Sequence, residues 1–555
     1  MNQESKTLVC GTPRFGSTAL QQAAAGNALA AWQQLAAAPD ALQQLLAVRG
    51  NFSVGLRDAS GAAFLAVDRF ANFSLCYRVR DGQIDFALRA DDLADERDEI
   101  DPQAIYDYLY FHCIPSPRTI YKSIFRLPPG HCLIGQGSEF RVQRYWTPSF
   151  QEPRGGNFEQ LAAEFRAIVK QSVADQLDGS KPACFLSGGT DSSTVAGMMR
   201  EVTGAAPQSY SIGFEAQGYD EMEYARLAAR RFGCDHHEYY VTPQDIVDGL
   251  PMVAAHYDQP FGNSSALPAY YCARFAQQDG VSKLLAGDGG DELFGGNSRY
   301  ATQRIFGWYD HVPRALGRYL LEPILATGVA KAFPLTRKAG SYVEQARVPM
   351  PERLQMYNLL LRLGPDALFT PELLRQVDRG APAAHQQQTW RECEAGSELN
   401  RTLAFDWRYT LSESDLPKVV GTTGLAGVQV GFPLLSDSLL DFSMQLPLDY
   451  KLRGLKLRWF FKEALRGFLP DEIITKKKHG FGLPFGVWLA SNADLGALAR
   501  DSLYGLVERG ILRRDFVTQL LEQRLREHPG YYGEAVWILT VLELWLKAKK
   551  PGFKL

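Results

Sequence analysis

No run of about 20 apolar residues occurs in the 555-residue chain, so no segment has the make-up of a helix that crosses a bilayer. The apolar stretch from Ala23 to Val48 is interrupted by Gln33, Gln34, Asp40, Gln43 and Gln44. An excess of one charge is also missing. A formal net charge of −3 gives no reason to expect nucleic acid or an anionic membrane as a partner. The eight cysteines are scattered and include no C-x-x-C pair, which argues against a zinc site and against a disulfide framework and fits a reducing cytosol. Met1 to Thr7 lack a basic-then-apolar signal pattern, so a cytoplasmic location is expected. Repeats and low-complexity tracts are absent as well. What is present, 46% apolar and 22% charged residues, is the composition of a folded, soluble protein long enough for two or more domains.

Residues 1–150 alternate short strand-like runs with turns. Asn51 to Leu56, Ala63 to Val67, Leu75 to Val79 and Ile84 to Leu88 fit a small sheet-rich layer. The segment Gln151 to Gly156 reads as a linker, leaving 157–555 as the second domain. A helix follows, with Phe158, Leu161, Phe165, Ile168, Val169 and Val173 at helical spacing. From there strand and helix patterns alternate to about Tyr300, which predicts an α/β layer with a parallel sheet. From Thr302 onward the chain is mostly helical and punctuated by proline.

The chemistry gathers in KPACFLSGGTDSSTVAGMMR, Lys181 to Arg200. Ala183 to Leu186 reads as a buried strand and Thr194 to Arg200 as a helix. Between them, Gly188 and Gly189 permit a tight bend, and hydroxyls meet free backbone N–H groups at a helix N-terminus, which suits an anion. No lysine follows the glycines, so this is not a GxxxxGK[ST] loop. Ligands of an open parallel sheet bind beyond the strands' C-terminal ends. Two other strand ends carry distinctive loops: Ser211-Ile212-Gly213-Phe214, where a small residue leaves room for an adenine ring, and Ala286 to Gly296. Asp191 and Asp291 are expected to face one another there, offering the hard oxygens that Mg²⁺ prefers beside a triphosphate.

SGGTDSS resembles the pyrophosphate loop of the ATP pyrophosphatases. Taken with SIGF, YDEMEYARLAARRFGCDHHE, DQPFGNSSALPAYY, LLAGDGGDELFGG and KKKHGFGLPFGVW, the chain resembles the asparagine synthetase family of the glutamine-hydrolysing class. A weaker likeness, DYLYFHCIPSPRTIYKSIFRLPPGH, extends into the N-terminal part. The resemblance implies an adenine-nucleotide α-hydrolase-like (PP-loop) parallel sheet with a helical extension, behind a truncated N-terminal nucleophile-type α+β domain. It also implies a carbon–nitrogen ligase reaction. A carboxylate attacks the α-phosphate of ATP, pyrophosphate leaves, and ammonia or an amine then takes the acyl group and releases AMP. On this likeness Leu186, Ser187, Gly188, Gly189, Asp191, Ser192, Ser193, Ile212, Gly213, Phe214 and Gly287 hold ATP or pyrophosphate. Asp191 and Asp291 hold Mg²⁺, Lys478 stabilises charge at the α-phosphate, and Asp288 acts as a general base or orients the amine. Glu413 and Asp415 face the substrate, a small-molecule or peptide carboxylate with its amine, and the resemblance leaves room for a homodimer.

The chain also departs from that pattern. Glutamine-using members begin Met-Cys, whereas position 2 here is Asn2, and Cys10-Gly11 only echoes such a start. No R-G-P-D and no N-G-E-x-Y-N loop lies between Cys10 and Asn51; an Ala/Gln-rich stretch that reads as one helix stands there instead. The N-terminal domain is therefore expected to be a degenerate glutaminase in which Cys10 is a small buried hydrophobe. On the acceptor side, Gln429 and Gly431 replace the family's Glu and Arg, and Gln259 stands where Glu is frequent. These departures favour an amide-bond synthetase fed by free ammonia or an amine. β-Lactam synthetases and lasso-peptide cyclases, which also lack a working glutaminase, are compared on that ground, although the former place Tyr at the Asp288 position. Asparagine synthesis proper, a tRNA-modifying pyrophosphatase and a non-catalytic scaffold are the alternatives; neutral charge and unpaired cysteines speak against the second.

Overall fold

The computed structural model describes residues 5–151, 156–216, 218–309, 334–476 and 482–555. Asn2, most of the 151–156 linker, and Lys478 with Lys477, Gly480 and Phe481 lie outside the described residues.

The N-terminal part is antiparallel. Strands β1 (Lys6–Gly11), β2 (Phe52–Arg57), β3 (Ala62–Val67), β4 (Cys76–Arg80), β5 (Gln83–Ala87), β6 (Phe125–Arg126), β7 (His131–Gln136) and β8 (Glu139–Arg144) form two sheets, ordered β1-β2-β3-β7-β8 and β5-β4-β6. The runs expected at 51–56, 63–67, 75–79 and 84–88 match β2 to β5 within a residue at each end. The Ala/Gln-rich stretch differs from the expectation of one helix, because it folds as Thr18–Gly26, Ala28–Ala36 and Ala41–Leu46. The cause of the first break is local. Asn27 is extended (φ −166°) and its side chain accepts from the Leu29 amide, capping the second helix while ending the first. The third begins just after Pro39, which has no N–H to continue a ladder. All three pack on the sheet through Trp32, whose ring lies 5.0 Å from those of Phe15 and Phe52.

The C-terminal part is α/β. Strands β9 (Ala183–Phe185), β10 (Gln208–Phe214), β11 (Asp235–Val241), β12 (Lys283–Leu285) and β13 (Gln429–Gly431) make a parallel sheet ordered β11-β10-β9-β12-β13. Side chains of successive strand residues point to opposite faces, and the core shows it. Cys184 and Leu285 join the cluster that buries helices Phe158–Ala174, Thr190–Thr203 and Met222–Phe232. Ala183 and Leu284 instead meet Cys272, Ala273 and Ala276 of helix Ala266–Gln278. The central strands β9 and β12 are thus covered on both sides. Downstream the chain is helical, ending in Pro529–Lys549, whose buried face runs from Gly533 to Leu546. No helix among the described residues is long and apolar enough to cross a membrane.

Candidate active site

A cleft of about 450 Å³ opens beyond the C-terminal ends of β9, β10 and β12. The loop after β9 supplies Leu186, Ser187, Asp191 and Ser192, and the loop after β12 supplies Gly287, Asp288, Gly289, Asp291 and Glu292. β10 adds Tyr210, Ser211 and Ile212. Gly188 has φ +69°, and a Cβ there would lie 2.4 Å from the backbone of Tyr224 and Ala225, so only glycine lets the loop seat on helix Met222–Phe232. At Gly287 a Cβ would come within 2.7 Å of the Ser192 amide, which is how the two loops approach each other. Helix Thr190–Thr203 begins at Gly189 with no side-chain cap. Its first-turn amides are therefore left for an outside acceptor, the arrangement an anion uses. The Ser192 hydroxyl braces the bend by accepting from the Ser187 amide at 3.1 Å.

Asp191 and Asp291 do meet at one point, and Arg458 joins them. Its Nη1 donates to Asp191 Oδ2 at 2.7 Å and to Asp291, and its Nη2 donates to Asp191 Oδ1 at 2.5 Å and to Thr190 Oγ1. Arg458 is 4% exposed and sits in the left-handed region (φ +52°) just ahead of helix Trp459–Ala464. Burial works against its charge, but the two carboxylates outweigh that and raise its pKa. Two hard oxygen donors that already share a cation fit a divalent ion beside phosphate. Among the described residues no group of three or more His, Cys, Asp or Glu could hold a metal, so phosphate oxygens and water would have to complete such a site. Nothing around Arg458 marks it in the sequence; its role depends on where the chain returns 167 residues after Asp291. Lys462, one helical turn on, also feels this cluster, with its pKa lowered by burial and then by Arg458.

At the other end of the cleft stand Thr410, Asp415 and Lys418. Lys418 Nζ lies 3.1 Å from Asp415 Oδ1 and 3.5 Å from Asp288 Oδ1. Burial raises the pKa of Asp288, and Lys418 pulls it part of the way back. Burial by itself would lower Lys418, but Asp415 and Asp288 raise it above its ordinary value. The lysine was not singled out by sequence reasoning; the one signal for it is its i,i+3 spacing from Asp415.

The expected residues do not all converge. Leu186, Ser187, Asp191, Ser192, Ile212, Gly287, Asp288, Asp291 and Asp415 line the cleft, and Gly188 and Gly189 shape its loop without lining it. Ser193 is fully buried beneath the loop, and its hydroxyl has no hydrogen-bond partner among the described residues. Gly213 leaves room for the Tyr240 ring, 2.6 Å from where its Cβ would be, rather than for a ligand, and Phe214 is buried at 6.1 Å from Trp488. Glu413 is turned away: it accepts from the Ser116 amide at 3.1 Å, from Ser116 Oγ at 2.7 Å, from Arg126 at 2.7 Å and from Arg408. The reason is the π-helix Trp407–Asp415. Its i,i+5 repeat aligns Thr410 with Asp415 on the cleft side, and Arg408 with Glu413 on the side facing the N-terminal domain. Gln429 is exposed on the edge strand β13, and a Cβ at Gly431 would lie 2.4 Å from Gln176, so neither forms the cleft wall. Gln259 is buried, and its amide donates to the Ile114 carbonyl at 3.3 Å.

Comparison with known proteins supplies the context for this geometry. The family model for asparagine synthase matches residues 164–547, and that for a glutamine amidotransferase domain matches residues 30–146. A Bacillus subtilis protein named asparagine synthetase [glutamine-hydrolyzing] 1 is 24% identical over 489 residues, covering 86% of this chain and 74% of its own length. A Mycobacterium tuberculosis protein named putative asparagine synthetase [glutamine-hydrolyzing] is 24% identical over 566 residues, covering 98% of this chain and 79% of its own. A Methanocaldococcus jannaschii protein named putative asparagine synthetase [glutamine-hydrolyzing] 2 reaches 36% identity over 205 residues, 36% of this chain and 39% of its own.

Proposed function

The chain belongs to the asparagine synthase family, and on that premise we propose that it is an AMP-forming amide-bond synthetase without a working glutaminase. It adenylates a substrate carboxylate and passes the acyl group to ammonia or an amine. Membership makes it a carbon–nitrogen ligase that draws on ATP. The observation that carries the finer reading is the shared cleft: the uncapped SGGTDSS loop, the Asp191–Asp291 pair and Asp288 open into one space.

Each group has a task in that reaction. First-turn amides of helix Thr190–Thr203, with Ser187 and Ser192, bind the departing pyrophosphate. Phe185, Ile212, Pro268 and Cys272 give the cleft an apolar side that suits a purine. Asp191 and Asp291 are the residues that would hold Mg²⁺, which supplies charge neutralisation on phosphate oxygens. Arg458 adds a fixed positive charge at the same point. Lys478, by its place in KKKHGFG, serves the α-phosphate. Asp288 receives the proton that the nucleophilic nitrogen loses. The acyl group is handled where Asp288, Asp415 and Lys418 meet. The boundary between the two functional parts falls at 150–157, and a cytoplasmic location suits the ATP supply this chemistry needs.

The test is product analysis. Purified protein, Mg²⁺, ATP and ammonium chloride are incubated with a pool of carboxylic acids, and nucleotide products are resolved. AMP with pyrophosphate is expected, and Asp191→Ala and Lys478→Ala should each abolish it. ADP with orthophosphate would overturn the reading. Aspartate is included in the pool because the relatives' names make asparagine synthesis the second reading. Asparagine as the product would decide for it.

A further inference from the structure

The least expected cation in the cleft is Lys418. Only 16% of the Lys418 side chain is exposed, and a charge so far withdrawn from water calls for counter-charges. Two lie beside it: Asp415 Oδ1 at 3.1 Å from its own helix turn and Asp288 Oδ1 at 3.5 Å from the loop after β12. The bridge therefore ties two chain segments that are far apart in sequence. Among the described residues Lys418 does not stack on a ring or reach the cluster where Arg458 already serves Asp191 and Asp291. Its place at the acyl end calls for another role.

Asp288 needs such a partner. Its carboxyl is largely shielded from water, and that burial and the like charge of Asp415 both act against ionisation. Asp191 and Asp291 add two more carboxylates to the same cleft, neutralised there by Arg458. Lys418 is the cation that faces Asp288 directly. Resting on the synthetase reading above, we propose that Lys418 is a positioning residue for acyl transfer: by bridging Asp288 and Asp415 it keeps Asp288 a carboxylate directed into the cleft. The step balances as follows. The amine nitrogen forms a bond to the acyl carbon, and the bond from that carbon to the phosphate oxygen breaks with its electron pair leaving on AMP. The nitrogen's surplus proton passes to the Asp288 carboxylate. A neutral Asp288 has no capacity for that proton, so the lysine acts on the reaction through the aspartate.

The test uses the full chain without any acyl substrate and reads protonation by infrared difference spectroscopy at mildly alkaline pH. In Lys418→Met a protonated-carboxyl C=O band should appear that the wild type lacks, and it should vanish in Lys418→Met/Asp288→Asn. Lys418→Arg, which keeps a cation, should stay without the band. No new band in Lys418→Met, or a band that survives Asp288→Asn, would overturn the proposal. A loss of packing alone would not follow this pattern. Should Lys418→Met fail to fold, wild type against the near-isosteric Asp288→Asn decides. A carboxylate signal assigned to Asp288 supports the proposal, and a protonated one sinks it. Mg·ATP uptake by the same wild-type sample separates the two ideas, because absent uptake counts against the synthetase reading whatever the band does.

Discussion

Glu413 and Asp415 stand two residues apart and serve opposite sides of one π-helix. Glu413 reaches Ser116 and Arg126 of the N-terminal domain, and Asp415 reaches Lys418 in the cleft. The same turn that carries Asp415 into the cleft is thus clamped to the neighbouring domain. This gives the N-terminal domain a structural tie to the cleft that is independent of glutamine chemistry.

Removing Glu413 leaves Arg126 and Arg408 facing each other across a buried space. Burial has already lowered the Arg408 pKa to about 10, and its other acceptors, the Ser116 carbonyl and hydroxyl, carry no counter-charge. Glu413→Ala is expected to cost about 3–5 kcal/mol, as breaking a buried ion pair from one side does. Glu413→Gln, which keeps an acceptor for Ser116, should cost less. Urea unfolding followed by tryptophan fluorescence measures both; equal and small losses would show that the clamp carries no load.

Arg458 admits a test that needs no acyl substrate. Arg458→Met leaves Asp191 and Asp291 without their shared guanidinium, a loss again of about 3–5 kcal/mol in metal-free buffer. A divalent ion can take over that neutralisation. Added Mg²⁺ should therefore raise the melting temperature of Arg458→Met more than that of the wild type. Identical Mg²⁺ responses would remove the carboxylate pair from the list of metal ligands.

Two half-buried histidines set a pH response. Burial lowers His131 to about 4 and His385 to about 3, with Arg408 adding to the effect on each. In the unfolded chain imidazole titrates near 6.5, so between about 6.5 and 4 the unfolded state holds more protons. The stability due to these residues is present above about 6.5 and is lost as pH falls through that window. For His131 the amount is about 3 kcal/mol. Asp68 and Asp107, pushed up to about 6 by burial, work in the opposite sense. The informative quantity is therefore the difference from wild type. His131→Gln should gain about 3 kcal/mol relative to it between about pH 7 and pH 4. A pH-independent difference in denaturation midpoints would contradict the assignment.

The strands and the glycine–serine loop after β9 were legible because local signals carry them. Alternating apolar runs fix β2 to β5, and two glycines beside hydroxyls mark the bend at Gly188. Arg458 and Lys418 were not legible, since each owes its role to a carboxylate brought close by the sheet's topology. The family resemblance gives Glu413 and Asp415 one shared role; only the i,i+5 repeat separates them. At Gly213 the small residue makes room for the Tyr240 ring, a contact that no local sequence signal announces.

Glutamine hydrolysis should be absent although an amidotransferase family model matches residues 30–146. An N-terminal cysteine nucleophile uses its own free α-amine as the base. Cys10 has no such amine, because it lies inside β1, opposite Ser53, with the strand running from Lys6 through Gly11. Burial also raises its thiol pKa, which reduces the thiolate it can offer. Coupled assay of glutamate from glutamine should therefore match a no-enzyme control, and Cys10→Ser should change nothing, while ammonium chloride supports AMP release. Glutamate formation that Cys10→Ser removes would restore the glutaminase and return the nitrogen supply to this domain.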